Sequence, residues 1–108
     1  MSSLESEPNI IEAAIKDISS AIIEKNNSDG FENQNDIQNF IFEQFQKHFP
    51  SKATDLYSSI SWDDEKLCIM SFCDFARSER SPEKESYRLI NWDSSLFERA
   101  LRDFILEK

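Results

Sequence analysis

One glycine, Gly30, serves a chain of 108 residues, and only Pro8, Pro50 and Pro82 stand beside it as backbone-restricting residues. Glycine takes left-handed backbone without a steric penalty, and tight hairpins draw on it heavily. A many-stranded barrel or sandwich needs many such turns. The scarcity therefore favours helices and longer connections, and it argues against a glycine-rich phosphate cradle.

Length sets the next bound, because a single domain commonly takes roughly 100–150 residues. Apolar residues are 39% of the chain, yet nine Phe, two Trp and two Tyr bury much area per side chain. One aromatic-rich core is expected. The class that follows is α+β, a single small domain in the order α-α-β-β-β-α with a three-stranded antiparallel sheet packed by helices. Residues 1–7 are polar and read as a flexible N-terminus, leaving 8–108 as the domain.

Hydrophobic period places the elements. Over residues 8–25, Ile11, Ala14, Ile15, Ile18 and Ile22 recur at helical spacing, with Pro8 suited to a first turn and Asn26-Asn27 to a stop. Residues 28–35 form a polar loop in which Asn33 or Asn35 caps a second helix running to Phe49. There Ile37, Phe40, Ile41, Phe42, Phe45 and Phe49 cover roughly 200° of the helical wheel, wider than an ordinary surface stripe. Such a helix is buried on more than half its circumference or keeps part of its face for a partner.

After Pro50 the period shortens. Residues 57–62 and 67–73 flank Asp63-Asp64-Glu65-Lys66 as a hairpin, and the second strand, apolar on both faces, belongs at the centre of its sheet. Residues 74–86, rich in charge and Ser, read as a long exposed loop. Residues 87–92 give a third strand. A last helix follows, either with Ser95 and Glu98 as a capping box or with Asp93 as cap and Trp92 and Phe97 as a hydrophobic staple. On its outer side Glu98/Arg102 and Arg99/Asp103 have the spacing of helical ion pairs.

The charge is one-sided. Residues 1–65 hold thirteen Asp/Glu against four Lys/Arg, whereas residues 66–108 hold eight of each, so the first part carries the whole formal charge of -9. An acidic field of this kind steers encounters with basic surfaces and repels nucleic acid and anionic membrane. No basic leader and no apolar run of membrane-spanning length is present, so a cytoplasmic, intracellular protein is expected. Cys68 and Cys73, placed on one strand, would point to opposite faces and stay as buried free thiols of a reducing compartment.

Catalytic machinery is hard to assemble from these residues. His48 is the only histidine, and the wheel sets it in the apolar arc beside Ile37 and Ile41, where a buried structural role is expected. Asp63, Asp64 and Glu65 lack the spaced ligands of an EF-hand loop, so no metal site is assigned. Nucleophile elbows and paired CxxC motifs are missing, and no cofactor is implied. Arg77, Arg80, Lys84 and Arg88 alternate with Glu79, Glu83 and Glu85, which makes a solvated mixed-charge loop rather than a nucleic-acid stripe.

What remains is recognition. Asp63, Asp64 and Glu65 form an acidic tip with Trp62 and Tyr57 as neighbouring aromatic anchors, and Asp36 and Glu43 extend the acidity along the second helix. The expected function is a non-enzymatic acidic binding protein that neutralises a basic, nucleic-acid-handling protein, in the manner of immunity proteins, antitoxins or phage anti-defence proteins. Direct binding to nucleic acid or membrane is not expected. The alternative is a homo-oligomeric chaperone or adaptor, as a homodimer for instance, using the wide aromatic face of the second helix.

Overall fold

Long apolar periods become four helices and the short ones a four-stranded sheet, in a computed structural model that describes residues 3–70, 72–73, 75–81 and 86–106. The helices are α1 (Ser3–Asn27), α2 (Gln34–His48), α3 (Ala53–Ser59) and α4 (Ser94–Leu106), with a 3-10 turn at Pro50–Lys52 leading into α3. Strands β1 (Ile60–Asp63), β2 (Lys66–Ile69), β3 (Arg77–Ser81) and β4 (Ser86–Ile90) make an antiparallel meander in the order β1-β2-β3-β4. The α+β class stands, with one strand and one short helix more than the residue pattern indicates.

Two boundaries move for physical reasons. Tyr57 belongs to α3 rather than to a strand, because Ala53 and Leu56 bury one turn of helix before the chain extends at Ile60. Residues 77–81 are strand β3, not loop, although their sequence is RSERS. Their partner β4 supplies the pairing through five residue pairs, from Arg77 opposite Ile90 to Ser81 opposite Ser86. Polar side chains on a strand are tolerated where one face meets solvent. Residues 82–85 of the expected loop, Pro82 among them, lie outside the described residues, as do residues 1 and 2. The chain is helical from Ser3, ahead of Pro8.

The core lies between the helices and one face of the sheet. Ile15, Ile18 and Ile22 of α1, Ile37, Ile41 and Phe45 of α2, and Phe97, Ala100, Leu101 and Ile105 of α4 meet Ile60, Leu67, Ile69, Phe75 and Leu89 there. β2 is an inner strand with Leu67, Cys68 and Ile69 all buried, as its two-sided apolarity requires. The breadth of the apolar arc on α2 is accounted for by its two flanks. Phe40 meets Phe31 at 5.8 Å on one side, and Phe42 meets Tyr57 at 5.3 Å on the other. His48 is exposed, contrary to its place on the wheel. The buried stripe of α2 ends one turn earlier at Phe45, and Phe49 rather than His48 packs beside it at 5.0 Å.

With one glycine available, other residues take the left-handed turns. Asp64 (φ 63°), Met70 (φ 58°) and Asn91 (φ 56°) do so, alongside Gly30 at 73°. Asp and Asn accept this conformation more readily than most residues. At Gly30 there is a second constraint, since a Cβ would sit 3.1 Å from the Tyr87 carbonyl oxygen. Gly30 N–H closes α1 by donating to Lys25 O at 2.9 Å, and Phe31 then exchanges both backbone hydrogen bonds with Tyr87.

The outer edge of β4 is thus covered, and Asn26 completes the cover. Its side-chain amide donates to Leu89 O at 3.0 Å and accepts from Leu89 N at 2.7 Å, acting as one residue of a missing strand. Arg88 reaches back to Asn26 O and Ser28 O, placing a cation on the carbonyl end of α1. An edge closed this way offers no template for strand addition.

At the start of α4 the Asp93 alternative is the one adopted. Asp93 Oδ1 accepts from Leu96 N, and Trp92 and Phe97 stack with centroids 4.6 Å apart as the staple. Arg102 does not turn to Glu98 for its hydrogen bonds. Its guanidinium holds Glu12 of α1 through both carboxylate oxygens, with Nη2 to Oε1 at 2.8 Å, and so ties the first helix to the last. That hydrogen bond holds the Glu12 carboxyl below the usual carboxylate range.

A depressed carboxyl contributes stability above its unfolded-state value, and that contribution fades as pH falls through the folded one. Both side chains are more than a third exposed (36% and 37%), so solvent screens the pair. Glu12→Gln is expected to cost under about 1 kcal/mol at pH 7. Urea unfolding at pH 7 and near pH 3.5 checks this: the gap between wild type and variant should close at the lower pH.

Candidate functional site

The acidic residues converge because α2 begins beside the β1–β2 turn. Asn33 caps α2 by accepting from Asp36 N at 2.8 Å, and Asp36 Oδ2 accepts in return from Glu32 N at 3.3 Å. The second bond reaches the residue before the cap rather than the cap itself, and the two together fix the direction of the first turn. Gln34, the first residue of α2, then donates to Asp64 O at 3.3 Å and to Ser78 Oγ at 3.0 Å. Ser78 is fully buried and donates its backbone N–H to Glu65 O at 2.7 Å. The hairpin tip is therefore tied on one side to β3 and on the other to the N-terminal end of α2.

One end of the molecule consequently presents Asp29 and Glu32 from the α1–α2 connection and Asp36 from the first turn of α2, together with Asp63, Asp64 and Glu65 from the tip. All but the half-buried Asp36 are exposed. A hollow of about 500 Å³ opens there between Lys25, Asp29, Gly30, Phe31, Glu32 and Asp36. Lys25 is directed over the rings of Phe31 and Phe40, 5.5 and 5.9 Å from their centroids. Arg77 pairs with Glu65 at 3.5 Å, and Lys66 stands opposite Asp63 in the hairpin register. Carboxylates outnumber these cations, and Asp36 also lies in the first turn of α2, where the helix dipole favours a negative charge.

The other residues singled out from the sequence occupy different places. Glu43 is exposed two turns along α2 from Asp36. Tyr57 lies on the opposite flank of α2, exposed and edge-on to Phe42, at a small groove completed by Asn39 and Thr54. Trp62 is half-buried beneath the tip, packed against the core, and its enclosed Nε1 has no hydrogen-bond partner among the described residues. Asp29, Glu32 and Gln34 belong to the acidic end as well. Counting charges finds the first two, but nothing local in the sequence marks Gln34, whose contacts lie 30 and 44 residues away.

Among the described residues no group of three or more His, Cys, Asp or Glu is arranged to hold a metal ion. None of the described helices is long and apolar enough to cross a membrane. Both cysteines are joined in a Cys68–Cys73 disulfide, which corrects the expectation of free thiols. Comparison with models of known families, with curated proteins and with solved structures found no match.

Proposed function

We propose that the chain is a non-enzymatic, cytoplasmic binding protein that neutralises or inhibits a basic, nucleic-acid-handling protein by covering its cationic surface. The observation that carries this reading is the meeting of the α1–α2 acids with the hairpin tip through Gln34. Six carboxylates carried on a backbone that cap and hairpin hydrogen bonds hold in place present a concentrated acidic field, which accelerates association and selects the partner. Immunity, antitoxin and phage anti-defence proteins share this logic, as an analogy of physical profile only.

The homo-oligomer reading has less to stand on, because the aromatic flanks of α2 are engaged within the chain. Among the described residues the exposed large apolar side chains are Ile10, Tyr57, Met70 and Leu106, which do not share one element. Sedimentation at high micromolar concentration separates the two readings, a monomer supporting the first.

The electrostatic reading is tested with the variant Glu32→Gln/Asp63→Asn/Asp64→Asn/Glu65→Gln. Immobilised wild type should capture a basic protein from native lysate at low salt and lose it at about 0.5 M, where the Debye length falls to a few ångströms. The variant should retain less than about a tenth of that capture at low salt. A partner of acidic isoelectric point, or capture indifferent to both salt and substitution, defeats the proposal.

A further inference from the structure

The Cys68–Cys73 pair stands on a strand reversal that the sequence does not announce. On one straight strand, residues five apart point to opposite faces. Here β2 turns back at once: Met70 takes left-handed backbone, and Ile69 and Phe72 exchange both hydrogen bonds, N to O at 2.9 and 3.0 Å. Continuing that register by one step sets Cys73 directly opposite Cys68. The two form the non-hydrogen-bonded pair next to a hydrogen-bonded one, the position where antiparallel strands approach most closely. Their Cα atoms are 4.2 Å apart.

Just beyond this pair the register changes. Ile69 faces Phe72, but Leu67 N donates to Ala76 O and Lys66 faces Arg77, so the register on β2 shifts by two residues between Cys73 and Ala76, as at a β-bulge. Such a bulge re-aims a side chain. Phe75, fully buried, meets Trp92 at 6.1 Å and Phe97 at 5.5 Å, while its carbonyl accepts from Asp93 N, the cap of α4. The disulfide thus closes the short reversal on which the placing of Phe75 depends.

The two sulfurs differ in access, since Cys68 is 3% exposed whereas Cys73 is only half-buried. Alternation along β2 puts Lys66 on the face of Cys68, and the cross-strand register adds Arg77 to that face.

We propose that Cys73 is a thiol-exchange site for small or protein dithiols, with Cys68 as its leaving group, and that the bond reversibly sets the firmness of the Ile69–Phe72 pairing. A thiolate of the reductant attacks Cys73 Sγ, forming a mixed disulfide as the Sγ–Sγ bond breaks, and the Cys68 thiolate leaves and takes a proton from water. The second thiol of the reductant then attacks its own sulfur in the mixed disulfide and departs as a disulfide. Cys73 is released as a thiolate and protonated in turn. Two electrons and two protons have passed to the pair, and the reverse sequence closes it. Reversible pairs of this kind are the form in which disulfides usually occur in a reducing cytoplasm.

The test uses the full chain and glutathione as probe, with partner binding playing no part. In the reduced wild type, pulse alkylation read by mass spectrometry should label Cys73 at least about tenfold faster than Cys68. With oxidised glutathione, Cys68→Ser should take up glutathione on Cys73 at least about tenfold faster than Cys73→Ser does on Cys68. Amide exchange at Ile69 and Phe72 should accelerate at least about tenfold on reduction, and Leu89 should be unchanged. Equal labelling of the two thiols in the wild type overturns the assignment even where a variant fails to fold. Failure of the reduced pair to close again in oxidised glutathione, or unchanged exchange at Ile69 and Phe72, overturns the proposed control.

Discussion

Replacing Asn26 with leucine is expected to lower the unfolding free energy by about 3 kcal/mol, because it deletes two hydrogen bonds and strands two buried backbone groups of Leu89. Leucine has the same γ-branched skeleton and number of side-chain heavy atoms as asparagine, so the substitution leaves no cavity behind. The side chain it replaces is 8% exposed, too enclosed for water to stand in freely. At this chain length the loss corresponds to a fall of roughly 10–20 °C in melting temperature. Asn27, its exposed neighbour, gives the control: Asn27→Ala should stay within about 0.5 kcal/mol of wild type. Urea unfolding of both variants decides the matter. A loss below about 1 kcal/mol for Asn26→Leu would mean that the amide does not hold the β4 edge.

Phe97→Ala is expected to cost about 3–5 kcal/mol, the range for deleting a fully buried aromatic ring from a packed core. Phe97 stacks on Trp92 at 4.6 Å and meets Phe75 at 5.5 Å, so its removal opens space between α4, the end of β4 and Phe75. The effect should have a local signature. Trp92 loses a neighbour while its Nε1 keeps Ser94 Oγ, and the tryptophan emission of the folded variant should shift to the red. Domains commonly hold only about 5–15 kcal/mol of net stability, so this single change takes a large share of it. An unfolding midpoint equal to that of Leu106→Ala, which alters an exposed position of the same helix, would refute the staple as a stabilising contact.

The candidate site was partly legible. Asp63, Asp64 and Glu65 announce a charged turn between two apolar runs, and the hairpin forms there in a tighter turn than the four-residue loop the pattern indicates. Asp36 stands out as the acid three residues after an asparagine cap. That these two groups meet depends on Gln34 and Ser78, polar residues whose partners are distant in the chain and whose types carry no local signal.

By itself the sequence determined α1, α2 and α4, the hairpin and the inner position of β2, and it narrowed the helix caps to Asn33 or Asn35 and to Asp93 or Ser95. Each follows from neighbours within a few positions, where period and capping chemistry act. Tertiary structure alone decided β3, whose RSERS segment becomes a strand only because β4 pairs with it. It also decided the exposure of His48, the choice of Glu12 by Arg102, the Asn26 cover of the sheet edge and the meeting of Cys68 with Cys73. Those outcomes turn on where the chain reverses, and with one glycine the reversals fall on Asp64, Met70 and Asn91 as well as Gly30. A left-handed residue other than glycine is held in place by the packing around it, and packing is a property of the whole fold.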